Sequence, residues 1–360
     1  MRNLILIFLV ICLFSCQEDY KRPELISKIV VEDIMVDSTL SVRAIDFNEE
    51  YLFYGSADHF GKRALNKELK IDITDFKVKN GKNHFKYVYK GDSLPLHFRA
   101  VEEINGHLFA LSIANPARLY KLSKKAKRVE MVYEERHDKV FYDAIKFWND
   151  KEGIAMGDPT DDCISIIITR DSGESWQKLS CDILPKSVEG EAAFAASDTN
   201  IAIVGDETWI ATGGMASRIL YSPNKGKTWE IFNTPIVQGK PTTGIYSLDF
   251  YDVKNGFAIG GDYTDADGNI GNKIRTNDGG ETWQLVADGE NPGYRSCVQY
   301  VPNSNAKELV AVGFKGIDYS NDAGQSWTHL SDEGFYALRF VNDSTAYTAG
   351  RGRISKLLFR

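Results

Sequence analysis

Four copies of one short motif constrain the fold of this 360-residue chain more than any other feature. They follow the form S/T-x-D/N-x-G-x-S/T-W at residues 169–176, 222–229, 276–283 and 320–327. The tryptophans that end them, Trp176, Trp229, Trp283 and Trp327, are spaced by 53, 54 and 44 residues. A repeat of this length is one supersecondary unit that must stack on its neighbours, which predicts a repeat architecture.

Each copy of the motif is predicted to form a hairpin turn. The side chains at its third position, Asp171, Asn224, Asp278 and Asp322, suit the acceptance of hydrogen bonds from the N–H groups of the turn. The glycine takes a left-handed conformation, and the tryptophan ring packs between neighbouring sheets. These roles are structural, so the motif aspartates are not candidates for catalysis.

A strand–turn–strand pattern accompanies the motif and extends beyond it. It is clearest at residues 147–158, 250–262 and 340–350. Scanning for such inner strands gives seven candidates, at residues 41–45, 97–101, 141–145, 192–196, 245–249, 294–298 and 335–339. The last repeat stops after its third strand, and residues 26–35 are predicted to supply the fourth by pairing with residues 354–359. The predicted fold is therefore an all-β propeller of seven four-stranded blades, closed by pairing of its N- and C-terminal strands.

The motif resembles the Asp-box (BNR) of sialidase-like β-propellers, and the repeats resemble the photosystem II stability/assembly factor-like family of that superfamily. The resemblance covers residues 140–350 well and residues 26–140 less closely. The superfamily includes glycosidases, receptors and assembly factors, so the resemblance is informative for fold and leaves function open. It implies that the motif turns lie on one face of the propeller, and that the inner strands begin on the opposite face.

The first residues predict export and a lipid anchor. Arg2 precedes an uncharged apolar run over residues 4–14, which is too short to span a bilayer stably. The sequence that ends at Cys16 resembles a bacterial lipobox, although an ordinary secretory signal with a chance cysteine is the alternative. The predicted organisation is a signal peptide over 1–15, a lipidated cysteine and tether over 16–25, and the propeller over 26–360. The expected location is the cell envelope, on an outer membrane, facing the periplasm or the surface.

Charge and cysteine content narrow the functional classes. Loss of Arg2 with the signal segment changes the net charge from −7 to −8, which argues against nucleic acid as a partner. Three cysteines follow Cys16 in the sequence: Cys163, Cys181 and Cys297. Cys163 and Cys181 flank one predicted hairpin, where they either form a disulfide or remain as free thiols. There is no CxxC pair and no Cys/His cluster, so neither a metal nor a redox site is predicted.

Charged residues are predicted to converge where the inner strands begin. In the propeller geometry that the resemblance implies, the loops between second and third strands open on the same rim. Arginine suits bidentate capture of a carboxylate, sulfate or phosphate. The candidate ligand-binding residues are Arg43, Arg99, Asp158, Asp262, Arg295, Lys315 and Arg351. Internal hydrogen bonding among channel residues is the alternative.

The same rim also offers candidates for catalysis. Sialidases combine Asp-boxes with three arginines, an acidic aspartate and a Tyr–Glu pair, and the loose analogues here are Asp58, Asp143, Glu189, Glu191, Tyr246 and Tyr336. A carboxyl pair of this kind serves glycoside hydrolysis. The sialidase Arg-Ile-Pro signature is absent, because the first inner strand contains Arg43-Ala-Ile45.

No cofactor is predicted. Asp262, Asp265 and Asp267 begin like a calcium loop, but the sixth position lacks glycine and Thr276 stands where a bidentate glutamate is expected. The favoured function is a binding or assembly propeller that holds an anionic glycan or peptide at the channel mouth. The alternatives are a hydrolase or lyase on an acidic glycan, and a structural propeller that displays loops to a protein partner.

Overall fold

The chain folds into seven antiparallel β-sheets around one axis, so the predicted seven-bladed propeller is confirmed. The computed structural model describes residues 22–23, 25–65, 76–81, 84–89, 96–123 and 129–360. Cys16, the predicted signal segment over 1–15 and most of the predicted tether lie outside these residues. Among the described residues, no helix is long and apolar enough to cross a membrane.

The first three blades follow one another along the chain. Each has its inner strand first and its later strands progressively further from the axis, except that the outermost pair of blade one is reversed in order. Blade one consists of β2 (Ala44–Phe47), β3 (Tyr51–Gly55), β4 (Phe60–Ala64), β5 (Phe76–Gly81) and β6 (His84–Tyr89). Blade two consists of β7 (Phe98–Ile104), β8 (His107–Ser112), β9 (Ala117–Ser123) and β10 (Val129–Glu135). Blade three consists of β11 (Tyr142–Phe147), β12 (Gly153–Gly157), β13 (Ser165–Thr169) and β14 (Gln177–Lys178).

Blades four to six continue this order, with two short additions next to blade five. Blade four consists of β16 (Ile201–Val204), β17 (Glu207–Ala211), β19 (Arg218–Ser222) and β20 (Glu230–Asn233). Blade five consists of β21 (Thr243–Phe250), β22 (Gly256–Asp262), β23 (Lys273–Thr276) and β24 (Gln284–Leu285), extended by β15 (Glu191–Ala192) and β18 (Gly213–Gly214). Blade six consists of β25 (Cys297–Tyr300), β26 (Leu309–Gly313), β27 (Gly316–Ser320) and β28 (Thr328–Ser331).

Blade seven closes the ring, as the incomplete last repeat predicts. Its inner three strands are β29 (Ala337–Asn342), β30 (Thr345–Ala349) and β31 (Arg351–Phe359), and its outer strand is β1 (Ile29–Ser41). β1 pairs antiparallel with β31, with Ile29 opposite Phe359 and Met35 opposite Ile354. This pairing removes the open edges that the two chain ends would otherwise leave.

The predicted inner strand over 192–196 is wrong. The inner strand of blade four is β16, which forms a hairpin with β17 through the two-residue turn Gly205-Asp206. Residues 193–196 lie outside any strand and line the mouth of the channel. The segment is an uninterrupted run of apolar residues, Ala-Ala-Phe-Ala-Ala, which resembles a buried inner strand in the sequence.

The core is divided among the blades. Seven apolar clusters each fill the space between two neighbouring blades, including the space between blades seven and one. Trp176 is 7% exposed and contacts Phe109 and Phe147 edge-on, which places its ring between blades two and three. Burial of such rings at every sheet–sheet contact is the main source of stability for this architecture.

The four repeated turns share one hydrogen-bond pattern. In the first, Asp171 Oδ1 accepts the Ser175 N–H at 2.9 Å, and Thr169 Oγ1 accepts the Gly173 N–H at 2.9 Å. Gly173 has a φ of +73°, and a Cβ there would lie 2.3 Å from the Phe109 ring. The residue at this position must therefore be glycine both for its backbone conformation and for the packing of blade two.

Cys163 and Cys181 form a disulfide, which decides the alternative left open by the sequence. Cys163 also forms an isolated backbone bridge with Lys186. The two contacts join the loop after β12 to the segment after β14. Cys297 is a buried free thiol.

Candidate functional site

A cavity of about 450 Å³ opens where the inner strands begin. Residues at or just before the starts of six of the seven inner strands line it, and the segment over 192–196 completes the wall next to blade four. Five of its lining residues are sequence-predicted candidates: Arg43, Arg99, Asp158, Tyr246 and Tyr336. We call this cavity and its lining the channel mouth.

Two arginines from neighbouring blades line the channel mouth. The Arg43 guanidinium carbon lies 4.2 Å from the centroid of the Tyr336 ring. Arg99 Nη1 donates to the carbonyl oxygen of Ala195 at 3.3 Å. Burial and the charge of Arg43 lower the pKa of Arg99 to about 10, so Arg99 remains a cation at neutral pH. Among the described residues neither arginine forms an ion pair, although the Asp143 carboxyl acts on Arg99 at longer range. Charge-assisted contacts to an anion are among the strongest hydrogen bonds in proteins.

Two carboxyl groups lie beneath the arginines. Asp143 is fully buried, and neither of its oxygens has a hydrogen-bond partner of good geometry. Burial, together with the nearby Asp158 carboxyl, raises the pKa of Asp143 well above its usual range, and Arg99 opposes this shift. Burial raises the pKa of Asp158 to about 6, although its Oδ1 accepts the Ala193 N–H at 2.7 Å. The pair therefore holds at least one proton at mildly acidic pH.

Aromatic rings form the opposite wall of the channel mouth. Tyr246 stacks on Phe194 with centroids 3.9 Å apart and meets Tyr294 edge-on at 4.8 Å. Phe314 lies 5.4 Å from Tyr294, and Tyr263 lies 6.4 Å from Tyr246. Burial raises the pKa of Tyr246, whose hydroxyl donates to the Thr242 carbonyl oxygen at 2.8 Å. The wall thus presents neutral, largely apolar surface toward the two arginines.

The remaining ligand-binding candidates lie outside the channel mouth. Arg295 is 5% exposed, and its Nε donates to Asp318 Oδ2 at 2.6 Å inside blade six. Lys315 pairs with Asp267 at 3.1 Å, and Arg351 is exposed to solvent. Asp262 Oδ1 accepts the Thr264 N–H at 2.9 Å within its own loop. Tyr294, next to Arg295, lines the cavity instead, because adjacent side chains on an extended segment point in opposite directions.

The catalytic candidates do not assemble into one constellation. Glu191 is 3% exposed and paired with Arg218, which makes it part of the wall behind the mouth. Glu189 lines a separate groove of about 480 Å³ next to the mouth, and Asp58 is an exposed neighbour of His59. Asp143 lies beneath the cavity and does not line it. Of the six, Tyr246 and Tyr336 alone line the cavity, and no glutamate accompanies them there.

The acidic loop over 262–268 is held by its own turns. The Asp265 N–H donates to the Asp262 carbonyl oxygen at 3.0 Å, and the Gly268 N–H donates to that of Asp265 at 3.0 Å. Within the part of the chain that the structure describes, no three His, Cys, Asp or Glu side chains are grouped as metal ligands. The calcium alternative at Asp262, Asp265 and Asp267 therefore gains no support from this geometry.

The sequence reasoning missed the aromatic wall. It selected charged residues at the loop positions and passed over their neighbours, such as Tyr263 beside Asp262 and Phe314 beside Lys315. Phe194 and Tyr294 lie within predicted inner strands, where apolar residues are interpreted as core. A signal was available, because large apolar residues in tight turns between strands have no core to fill.

Known proteins were compared with this chain as a whole. No protein-family model matches it, and no curated protein matches it by sequence. A solved structure of YCF48 bound to D1 peptide is 14% identical, with a TM-score of 0.63 over 92% of this chain and 95% of that one. The WD40 repeats of RRP9 are 10% identical, with a TM-score of 0.61 over 94% of this chain and 99% of that one. A designed protein, Ika8, is 12% identical, with a TM-score of 0.55 over 91% of this chain and 100% of that one.

These identities are low, so the similarities establish the architecture and nothing finer. The class that fold and site define is a seven-bladed β-propeller with a cationic, aromatic-walled cavity at one end of its channel.

Proposed function

We propose that this protein is a non-enzymatic binding propeller that holds an anionic ligand, an acidic peptide or an acidic glycan, at the channel mouth. The observation that carries the proposal is the pair Arg43 and Arg99. They come from different blades, line one cavity and lack a carboxylate partner among the described residues. The two partly buried guanidinium groups repel each other, and the nearby Asp143 carboxyl, whose pKa is raised by burial, offsets this only in part, so a ligand that supplies negative charge is favoured.

Two further features support a binding role. YCF48, which shares the architecture, is seen with a D1 peptide, so a propeller of this shape can take a peptide partner. The repeated turns and their resemblance to Asp-box propellers agree with a binding or assembly factor of that superfamily. We further propose that Cys16 is lipidated after removal of residues 1–15. The propeller over 26–360 then stands on a short tether at the cell envelope.

The double substitution Arg43→Ala/Arg99→Ala is expected to weaken anion binding by about 100-fold or more. Each charge-assisted hydrogen bond contributes about 1.5–3 kcal/mol, and the two losses act on one ligand. The measurement is isothermal titration calorimetry of the protein in solution with panels of acidic peptides and acidic oligosaccharides. Arg351→Ala is the matched control, because Arg351 is an exposed arginine that does not line the cavity.

Arg295 is not part of this test. Its loss would leave the 3%-exposed Asp318 carboxylate without its arginine and destabilise blade six. Binding of an acidic ligand that is equally tight in the double variant and the wild type contradicts the proposal. An unchanged thermal unfolding midpoint is required for the comparison to count.

Anion affinity is expected to fall as the pH rises through about 6. Below that value Asp158 is neutral, and above it a carboxylate stands beside the bound anion. A sulfated oligosaccharide is the suitable probe, since sulfate does not titrate in this range, and the expected change between pH 5 and pH 7.5 is about tenfold. Asp158→Asn should reduce the pH dependence, leaving the contributions of Asp143, whose pKa is raised by burial, and of His97, whose pKa is lowered by burial and by Arg99. A profile that is identical in wild type and Asp158→Asn contradicts this assignment.

A glycan-active enzyme is the second candidate, and Asp158 is the observation that favours it. A half-buried carboxyl with a pKa of about 6 at the cavity wall has the character of a general acid. Cleavage of an acidic oligosaccharide by wild type, and not by Asp158→Asn, would establish this alternative.

A further inference from the structure

Exposed apolar side chains lie at the mouth of the channel and in the groove next to it. Tyr263 is 49% exposed and Phe314 is 42% exposed, on the loops that follow β22 and β26, and both line the cavity. Val188, which lines the adjacent groove, and Met215 are each 45% exposed. Met215 is attached to the cavity wall, since its N–H donates to the Gly190 carbonyl oxygen at 3.0 Å, two residues before the lining residue Ala192. Together these four residues form what we call the apolar rim.

The apolar rim is continuous with the aromatic wall inside the mouth. Phe314 packs on Tyr294, and Tyr263 meets Tyr246, so the exposed rings extend a stack of buried ones. The loop that carries Tyr263 is fixed in place, because the Tyr294 N–H donates to the Ala266 carbonyl oxygen at 3.0 Å. A half-exposed apolar surface next to a partly buried charged pair has the anatomy of a protein-recognition surface.

Aromatic walls also bind cations and sugars, and the charges distinguish these possibilities. A cation in this cavity would face Arg43 and Arg99 at close range, which is repulsive. A glycan presents hydroxyl groups on most of its surface, and three of the four residues of the apolar rim, Phe314, Val188 and Met215, offer them no hydrogen-bond partner. A peptide satisfies both parts of the site when an acidic side chain enters the cavity and its apolar neighbours cover the rim.

We infer that the ligand is a peptide segment of a partner protein in which an acidic residue is flanked on both sides by apolar residues. The acid contacts Arg43 and Arg99, one flank packs on Tyr263 and Phe314, and the other packs on Val188 and Met215. This inference rests on the proposed function and selects the peptide from its two ligand classes.

A library of seven-residue peptides with a central aspartate and randomised flanks provides the test. Wild-type protein is expected to retain peptides with apolar residues next to the aspartate. Tyr263→Ser/Phe314→Ser should lose that preference and bind the best retained peptide at least tenfold more weakly. Val253→Ser/Val341→Ser is the matched control, because these valines are 40% and 41% exposed at the opposite end of the inner strands, Val253 on the turn after β21 and Val341 near the end of β29.

The outcomes separate this inference from the proposal beneath it. Loss of the aspartate requirement in Arg43→Ala/Arg99→Ala, together with loss of the flank preference in Tyr263→Ser/Phe314→Ser, supports both. Retention of peptides without any flank preference, or with the same preference in the Tyr263→Ser/Phe314→Ser variant, overturns the inference alone. If no peptide is retained, the inference also fails, and titration with acidic oligosaccharides then decides whether the mouth binds anions at all.

Discussion

Removal of every residue before Val42 should unfold the propeller or take away most of its stability. The truncated chain lacks β1, so β31 becomes an open edge along its length. It also lacks Ile26, Met35 and Leu40, which are at most 8% exposed in the clusters on both sides of blade seven. Burying three such side chains contributes about 5–8 kcal/mol, against about 5–15 kcal/mol for a whole domain.

Urea unfolding followed by tryptophan fluorescence measures this effect. A chain that begins at Arg22 is the matched control, because it keeps β1 and the ion pair between Arg22 and Glu308. A synthetic peptide of residues 26–42 added to the truncated chain should restore part of the lost stability, since it can pair with β31 as β1 does. An unfolding midpoint in the truncated chain equal to that of the control would show that the ring does not depend on this strand.

The closure could be predicted from the sequence because it follows from counting strands. The last repeat ends after residues 354–359, and residues 26–35 contain a β-branched run, Ile29-Val30-Val31, that lacks a hairpin partner. A closed propeller leaves no strand edge unpaired, so the strand at the N-terminus and the strand at the C-terminus are expected to pair with each other. The observed pairing of Ile29 with Phe359 matches that expectation.

Blade four could not be placed from the repeats, because it departs from their pattern. Its inner hairpin turns at Gly205-Asp206 and has only four residues in the first strand, whereas the apolar stretch over 192–196 looks more like an inner strand. The Gly-Asp turn between two β-rich runs was a usable signal. The prediction placed the strand by the spacing between repeats and gave less weight to the residues of the turn. Blade four has an insertion before its inner strand, and this insertion disturbs the spacing.

The candidate site was predictable in part. Strand starts converge at one end of a propeller, so Arg43 and Arg99 could be assigned to one rim. A shift of one residue reverses the direction of a side chain, and this is why Arg295 is buried against Asp318 while Tyr294 lines the mouth. Tyr294 and Arg295 lie just before β25, and the sequence alone does not fix which of two adjacent side chains faces the channel there.

One buried residue outside the candidate list carries a large predicted effect on stability. Asp198 is fully buried before β16, in a segment outside any strand. Its Oδ2 accepts the Val101 N–H at 3.0 Å and its Oδ1 accepts the Ile145 N–H at 3.0 Å. Its side chain therefore joins the inner strands of blades two and three to the start of blade four. Contacts over such sequence separations are set by the closed ring and have no local sequence signature.

Asp198→Ala should lower the free energy of unfolding by about 3–5 kcal/mol. The substitution leaves two buried N–H groups without acceptors and removes the carboxylate that faces Lys146 and Arg339. Burial raises the pKa of Asp198 to about 6, so the ionised form that those cations favour is the one present at neutral pH. Since the folded-state pKa is above the unfolded value, protonation stabilises the folded state as the pH falls from about 6 toward 4.

The size of the loss can be calibrated with two other aspartates. Asp249 accepts the Tyr300 N–H at 2.7 Å and joins two blades with one bond, so Asp249→Ala should cost less than Asp198→Ala. Asp182 is exposed, and Asp182→Ala should change the unfolding midpoint within error. Urea unfolding at pH 7.5 measures all three, and equal losses for Asp198→Ala and Asp182→Ala would show that the carboxylate does not hold the blades together. Asp198 also lies two residues from the segment over 192–196, which lines the channel mouth. Its loss should therefore distort that wall and weaken anion binding. The stability of the ring and the geometry of the site are linked through this residue.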